Sequence, residues 1–167
     1  MKLDAGLAAT LGAVGAAMAD ARAPWWIIGS AAVALHGAVA DRAGATGGDP
    51  GPVGDVDVLL DLADAQRLFA AIGLDPQPGA AHAVFRSQLF GRWTAPPMTV
   101  EFMAGFEHRS NGGWHPVRPT SREAIVLQDV AGTVVFVPDR ADLGAMLGRF
   151  GRPKDGVRAA YLAALDM

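Results

Sequence analysis

The chain has 167 residues, of which 51% are hydrophobic and 19% charged, so it can bury a core and is not a disordered chain. Its formal net charge of −3 argues against binding nucleic acid through overall charge, while a local basic patch stays compatible with it. The sequence contains no cysteine, which excludes disulfides, zinc–thiolate sites and cysteine nucleophiles. We predict a single cytoplasmic domain over residues 1–167, without a membrane-spanning segment.

The N-terminal segment, residues 3–21, is predicted to form an amphipathic helix rather than a signal peptide. Asp4 stands where a signal peptide carries positive charge. The longest apolar run, residues 25–40, is shorter than a membrane span and contains His36, so we interpret it as a strand followed by a helix. Apolar residues recur in the N-terminal segment at helical spacing: Leu3, Leu7, Leu11, Val14 and Met18.

The central region, residues 25–137, mixes predicted strands and helices without strict alternation, which is typical of an α+β fold. The predicted strands cover residues 25–28, 55–60, 84–90, 98–103, 124–127 and 133–137. Helices are predicted over residues 30–37, 63–72, 139–149 and 153–165, and the last two form the C-terminal part, 139–165. Regions rich in Gly and Pro predict loops or turns at 41–54, 74–81 and 106–120, of which 41–54 is expected to be mobile. We therefore predict a mixed β-sheet flanked by helices.

Two carboxylates lie on one face of the predicted strand 55–60. Side chains alternate along a strand, so Asp55 and Asp57 point the same way. Side by side on an apolar strand, they repel each other and lose hydration, a penalty that a divalent cation would remove. Glu101, on another apolar strand, is the candidate third ligand. The alternative is a pair of acidic residues at a strand end that simply faces solvent.

Gly29 and Ser30 follow an apolar strand at the predicted start of a helix, where backbone N–H groups are free to bind phosphate. The alternative is a tight turn with a Ser cap. Another helix start is predicted at residues 152–155, with Pro153 in the first turn. Lys154 in this segment is a candidate for contact with a nucleotide phosphate.

Several aromatic and histidine residues have less specific interpretations. Trp114 lies in a predicted loop, where it either stacks on a base or an acceptor or covers the core. The histidines lack metal-ligand spacing, and we predict surface or loop positions for all four: His36, His82, His108 and His115.

The order of these motifs resembles the nucleotidyltransferase superfamily related to DNA polymerase beta. The family pattern is an apolar residue, Gly, Gly or Ser, a helix, Asp-x-Asp on a strand and an acidic residue on a later strand. Here the matching residues are Gly29-Ser30, Asp55-Val56-Asp57 and Glu101. The tail at 151–155 also resembles small bacterial members, including those of the toxin–antitoxin kind. The chain departs from the pattern in its long spacing between Ser30 and Asp55 and in having Glu as the third acid.

The resemblance implies Mg²⁺-dependent phosphoryl transfer with two ions, for which Mn²⁺ is a possible substitute. Asp55 and Asp57 would bind both ions, and Glu101 would bind the catalytic ion and help deprotonate the acceptor. Gly29, Ser30 and Lys154 would contact nucleotide phosphates. The substrates would be an NTP and an acceptor hydroxyl on a protein, an RNA or a small molecule. The alternatives are an inactive nucleotide-binding or toxin–antitoxin partner protein of the same fold, and an interaction protein with incidental acidic residues.

Overall fold

The computed structural model describes residues 2–45, 47–77 and 82–165, and it has the predicted mixed α+β architecture. The last part of the predicted turn at 74–81 lies outside these ranges. Within them, no helix is both long enough and apolar enough to cross a membrane. The elements along the chain are α1 (Ala5–Ala17), β1 (Trp26–Ile28), α2 (Gly29–Arg42), β2 (Val56–Leu60), α3 (Leu62–Ile72), β3 (Phe85–Arg86), β4 (Leu89–Trp93), β5 (Val100–Ala104), β6 (Glu107–Ser110), β7 (Gly113–Pro116), β8 (Glu123–Val126), β9 (Val134–Val137), α4 (Arg140–Phe150) and α5 (Pro153–Ala164).

A four-stranded sheet in the order β1-β2-β5-β4 forms the centre of the molecule. The central pair, β2 and β5, is parallel, whereas β1 and β4 run antiparallel to their neighbours, so the sheet is mixed as predicted. Two smaller sheets, β3-β6-β7 and β8-β9, lie outside it. The strands β2 and β5 carry the predicted acidic residues, and their direct pairing decides how those residues meet.

The two faces of the central sheet have different roles. One face packs into the main core, where Val56, Val58 and Phe102 are fully buried together with residues of all five helices. Removing this apolar surface from water supplies the main driving force for folding. The other face carries a smaller apolar cluster: Trp26, Ile28, Leu59, Met103 and, from α4, Met146. Because side chains two residues apart share a strand face, Asp57 and Glu101 also lie on this second face.

Aspartate side chains cap three of the helices. The Asp4 carboxylate accepts hydrogen bonds from the backbone N–H groups of Gly6 and Leu7 at 2.9 and 3.2 Å and so begins α1. Asp61 accepts from the backbone N–H of Ala63 at 3.0 Å and begins α3, as the sequence predicts. At α4, Asp139 accepts from the backbone N–H of Asp142 at 2.8 Å. These bonds satisfy N–H groups that the helices leave unpaired.

Several predicted boundaries are wrong. The N-terminal helix, predicted over 3–21, spans only Ala5–Ala17, because the Asp4 cap begins it and a turn follows Ala17. Helix α2 continues to Arg42 instead of ending near residue 37, because its apolar face stays buried as far as Ala40. The predicted strand 84–90 consists of two strands, β3 and β4, which belong to different sheets. The predicted loop 106–120 contains the hairpin β6–β7, with the positive-φ residues Asn111 and Gly112 at its turn. An Asn-Gly pair between two strands is a strong local signal for such a hairpin.

Two of the four histidines are buried, contrary to the prediction. His36 is 4% exposed, and its Nε2 lies 2.8 Å from the carbonyl oxygen of Pro138. Burial lowers the pKa of His36, so the ring stays neutral and donates this hydrogen bond. His108 packs between Phe85 and Phe150, and burial followed by the positive charge of Arg149 lowers its pKa. The predicted exposure of the other two, His82 and His115, is confirmed.

The predicted loop at 41–54 lacks helix or strand in the described residues that follow α2, as expected. Several of its contacts reach α5 and the core: Gly47 lies against Tyr161, and Arg158 donates to the carbonyl oxygen of Pro52 at 3.4 Å. Val53 packs against the main core. The mobility of this loop stays a prediction.

Asp64 ties the segment between α1 and β1 to helix α3, and its loss is expected to destabilise the protein. Its carboxylate accepts from the backbone N–H groups of Arg22 and Ala23 at 3.0 and 2.9 Å and pairs with Arg67. Burial alone would raise the pKa of Asp64, but these three partners outweigh it and hold the pKa below its ordinary value. We expect Asp64→Ala to lower the free energy of unfolding at pH 7 by about 1–3 kcal/mol, measured by urea denaturation.

The pH dependence of this effect has a definite sign. Because the folded pKa of Asp64 is depressed, its stabilisation is complete above the unfolded pKa and disappears as pH falls through the folded value. The stability gap between the wild type and Asp64→Ala should therefore narrow in acid. Asp20→Ala, at a nearby exposed carboxylate, is the matched control and should change little. An equal loss in both variants would contradict the role given to Asp64.

Candidate active site

Strand pairing brings the three predicted acidic residues together. In the central sheet, Ile28 pairs with Asp57, Asp57 with Glu101, and Glu101 with Arg92. Asp55 directly precedes β2. One carboxylate oxygen from each of Asp55, Asp57 and Glu101 lies within 4.8 Å of the others. The predicted convergence of these three carboxylates is confirmed, whereas their roles in catalysis remain predictions.

The electrostatics of this cluster favour a cation. Burial, then the charges of Asp55 and Glu101, raise the pKa of Asp57 from 3.8 to about 7, although Arg152 and Lys154 partly offset them. The carboxylates therefore repel each other in a setting that hydrates them poorly. Carboxylate oxygens are the ligands that Mg²⁺ and Mn²⁺ prefer. The donor set, its spacing and its excess negative charge fit a divalent metal.

Arg92 contacts the third acidic residue from the neighbouring strand. Its Nη2 donates to Glu101 Oε1 at 2.9 Å, with the Glu101 side chain 21% exposed and that of Arg92 51% exposed. Sequence reasoning missed this residue, because the predicted strand 84–90 ended before it. Only the antiparallel register of β4 and β5 reveals that Arg92 orients the Glu101 carboxylate.

Gly29 lets the first turn of α2 approach Asp57 closely. Its φ is +65°, and an added Cβ would lie 2.9 Å from Asp57 Oδ2. Ile28 is the N-cap of α2 and makes no side-chain capping bond, so Ser30 does not cap the helix. Among the described residues, no side chain caps the first N–H groups of α2, an arrangement that suits a phosphate.

Gly29→Ala should disturb both the backbone and the acidic cluster. The left-handed conformation should cost about 1–2 kcal/mol for a residue with a side chain, and contact with the Asp57 carboxylate should add to this loss. Gly44→Ala is the matched control, since Gly44 also has a positive φ, +86°, but no atom of the described residues lies within 4 Å of an added Cβ. We expect thermal melting to show a larger loss for Gly29→Ala, and Mn²⁺ titration to show weaker binding in that variant alone. Equal losses would mean that contact with Asp57 is unimportant.

A cleft of about 260 Å³ opens beside the acidic residues. At one end lie Gly29, Asp57 and Glu101, and the remaining wall is aromatic and basic. Phe85 stacks on Phe106 at 5.5 Å and meets Phe150 edge-on at 5.0 Å. The aromatic and basic lining residues are Phe85, Phe90, Phe106, Phe150, Arg86, Arg92 and Arg152. The cleft thus combines an acidic end, whose carboxylates could hold a metal ion, with an end lined by aromatic and basic side chains.

The architecture has a counterpart among solved structures. It is similar to the crystal structure of a "putative nucleotidyltransferase" from Thermotoga maritima, with a TM-score of 0.61 over 84% of this chain and 82% of that one. The chain has a nucleotidyltransferase-like fold. At 18% sequence identity this likeness concerns the fold, so the activity must be argued from the site. No protein-family model matches the chain, and no curated protein matches it in sequence.

In this nucleotidyltransferase-like fold, the junction of α4 and α5 supplies a positive group to the cleft. The predicted helix start at Pro153 is confirmed, and Asp155 is fully buried there. Its carboxylate accepts from the backbone N, Nε and Nη2 of Arg152 at 3.2, 2.7 and 3.1 Å. The Arg152 guanidinium lies 5.1 Å from the Phe85 ring. A planar cation held by a buried carboxylate is well placed to meet a phosphate.

Lys154 lies close enough to lower the pKa of Asp57 but is not among the cleft-lining residues in the described part of the chain. Its contact with a nucleotide phosphate stays a prediction. Sequence reasoning singled out Lys154 and interpreted Arg152 only as part of a helix start. The signal for Arg152 is the i,i+3 spacing of Arg and Asp around Pro153, which favours a fixed ion pair.

Proposed function

We propose that this protein is a Mg²⁺-dependent nucleotidyltransferase that moves an NMP unit from an NTP to an acceptor hydroxyl. The observation that carries the proposal is the convergence of Asp55, Asp57 and Glu101 beside the uncapped N-terminus of α2. A metal-binding carboxylate cluster next to a phosphate-binding helix start is what transfer from a nucleoside triphosphate requires. Mn²⁺, which prefers the same oxygen ligands, would substitute for Mg²⁺.

Each group has a distinct part in the reaction. Asp55, Asp57 and Glu101 would hold Mg²⁺, which when bound polarises the α-phosphate and offsets its developing charge. The N–H groups of Gly29 and Ser30 bind the triphosphate, and Arg152 and Lys154 add positive charge.

The transfer itself is one exchange of bonds at phosphorus. The acceptor oxygen forms a bond to the α-phosphorus, the bond from that phosphorus to the bridging oxygen breaks, and pyrophosphate leaves. Glu101, oriented by Arg92, takes the proton of the acceptor hydroxyl.

A thermal-shift screen with the four NTPs, each with Mg²⁺ or Mn²⁺, tests this proposal. We expect at least one metal–nucleotide pair to raise the melting temperature, because a ligand that binds only the folded state stabilises it. Release of pyrophosphate then separates an enzyme from an inactive nucleotide-binding protein. If no metal–nucleotide pair changes the melting temperature, the result would favour an interaction protein with incidental acidic residues.

A protein partner from a toxin–antitoxin pair and a cytoplasmic location are further implications of the sequence resemblance. Both remain predictions. Co-purification of the full chain with the product of an adjacent small reading frame tests the first of them, and a chain that purifies alone would count against it.

A further inference from the structure

His108 lies between the small sheet β3-β6-β7 and helix α4, next to the aromatic wall of the cleft. It pairs with Phe85 across β6 and β3, so both side chains point to the face that Phe85 presents to the cleft. His108 is 8% exposed, and its ring centroid lies 5.2 Å from that of Phe85 and 5.3 Å from that of Phe150. The neighbouring charged residues of β3 and β6 point to the opposite face of the sheet: Arg86, Glu107 and Arg109.

The His108 ring has no polar partner to fix its orientation. Among the described residues, none hydrogen-bonds to its nitrogens, which keep the little solvent contact that the ring has. The charged groups that act on it are all positive: Arg149 of α4, Arg152 at the start of α5 and, when protonated, His115 of β7. The Asp155 carboxylate is already paired with Arg152. Burial, followed by these charges, therefore lowers the pKa of His108.

Arg152 lies on the same two aromatic rings as His108. Its guanidinium is 5.1 Å from the Phe85 centroid and 5.8 Å from the Phe150 centroid. Both rings and Arg152 line the cleft, whereas His108 lies outside the described lining. Neutral His108 thus packs against the rings that support Arg152, and a positive charge at its position would repel Arg152.

We propose that neutral His108 is a positioning residue for this end of the cleft, and that its protonation in acid loosens the aromatic wall and Arg152. A proton on His108 places a third positive charge near Arg149 and Arg152, in a setting that hydrates it poorly. The imidazolium gains hydration by turning outward, which removes its support from Phe85 and Phe150. This inference goes beyond the proposed function, because it concerns the wall whatever the cleft binds.

The pH range of this change follows from the sign of the pKa shift. Because the folded pKa of His108 lies below its ordinary value of 6.5, the stability that neutral His108 contributes is complete above pH 6.5 and is lost as pH falls through the folded value. The wall should therefore loosen below pH 6.5. Asp57, whose pKa is raised to about 7, titrates separately at a higher pH.

NMR of the full chain, with ¹³C in the methionine methyl groups, tests the inference without any ligand. Met103 and Met146 lie in the apolar cluster against which Phe150 packs, so the ring current makes their methyl shifts sensitive to the wall. Met18 belongs to the main core and Met98 packs against it, so these two report unfolding of the whole chain. Between about pH 7.5 and 5, we expect a step below pH 6.5 in the first pair and none in the second.

Substitutions assign the step to His108. His108→Phe supplies an apolar ring that cannot be protonated and should lose the step. His108→Gln, also uncharged at these pH values, should lose it too, and it carries the test if the first variant fails to fold. Arg149→Ala removes an exposed repelling charge and should move the step to higher pH by at least about 0.2 unit. His115→Gln is the matched control at an exposed histidine and should keep the step, at an equal or slightly higher pH.

The outcomes that would overturn the inference are distinct. They are the absence of the step from wild type, its persistence in both His108 variants and a midpoint that Arg149→Ala leaves unchanged. A step that Met18 and Met98 share would be acid unfolding of the whole chain and would also overturn it. The separate step of Asp57 near pH 7 should remain in every variant.

A second measurement rests on the proposed function. The thermal shift given by Mg²⁺ with NTP should weaken in acid less in His108→Phe than in wild type, because Arg152 stays in place in the variant. Equal weakening in both proteins would contradict the role of His108 in positioning Arg152. If no thermal shift is seen at any pH, that result counts against the proposed function alone, and the methyl shifts still decide the inference.

Discussion

Asp57→Asn is expected to abolish the proposed nucleotidyl transfer and to remove most of the proposed metal-dependent binding of NTP. The substitution keeps nearly the same shape but takes one negative charge from the centre of the carboxylate cluster, where Asp57 lies beside both Asp55 and Glu101. Losing one charged ligand weakens a divalent site strongly, and the proposed transfer step depends on that site. In thermal melts, Mg²⁺ with NTP should raise the melting temperature of wild type and leave that of Asp57→Asn nearly unchanged.

The same substitution should stabilise the metal-free protein near neutral pH. Because the folded pKa of Asp57 is raised to about 7, its contribution to stability is complete below the unfolded value of 3.8 and is lost as pH rises toward 7. Asparagine carries no such penalty. Urea denaturation in EDTA should therefore show a gap in favour of Asp57→Asn that grows between about pH 4.5 and 7.5, reaching about 2–4 kcal/mol.

Asp75→Asn, at an exposed carboxylate away from the cluster, is the matched control for both measurements and should behave like wild type. A different result would assign Asp57 a purely structural role. In that case Asp57→Asn would lose about 1–3 kcal/mol of stability through a broken hydrogen bond, and its response to Mg²⁺ with NTP would match wild type.

Asp155→Ala is expected to cause the largest loss of stability among the variants considered. The Asp155 side chain is fully buried and accepts three hydrogen bonds from Arg152, two of them from the guanidinium. Its removal leaves the start of α5 uncapped and Arg152 without its partner. Since the Arg152 side chain is 37% exposed and stays partly hydrated, we expect a loss of about 2–4 kcal/mol in urea denaturation. Nucleotide binding should weaken as well, because Arg152 is no longer held against the cleft.

Asp61→Ala separates capping from the ion pair. Asp61 is an exposed N-cap that accepts one backbone hydrogen bond, so its loss should cost only about 1 kcal/mol and leave nucleotide binding intact.

A double-mutant cycle that combines Asp155→Ala with Arg152→Ala measures the coupling energy of the Arg152–Asp155 pair. Additive losses in that cycle, or nucleotide binding unchanged in Asp155→Ala, would show that Asp155 does not position Arg152.

Local sequence patterns determined much of this protein. Alternation of apolar residues predicted β2 and β5, and the spacing of Asp55 and Asp57 placed both carboxylates on one side of a strand. Capping residues predicted the starts of α3 and α5. The Asn111-Gly112 pair was a further local signal for the β6–β7 hairpin, and the abundance of Gly, Pro and His around it concealed that signal. All of these features depend on the backbone geometry of a few neighbouring residues, so they can be predicted from the local sequence alone.

The tertiary structure alone decided which side chains share the cleft. Arg92 reaches Glu101 through the register of two strands, and Arg152 reaches the cleft through the packing of Phe150 against Phe85. His36 can be buried because its ring hydrogen-bonds to the carbonyl oxygen of Pro138, which is distant in sequence. These contacts join residues that no local pattern connects, because register and helix packing are set by the sum of many long-range contacts. The sequence by itself therefore determined the three acidic candidate ligands, and the fold supplied the arginines and aromatic rings around them.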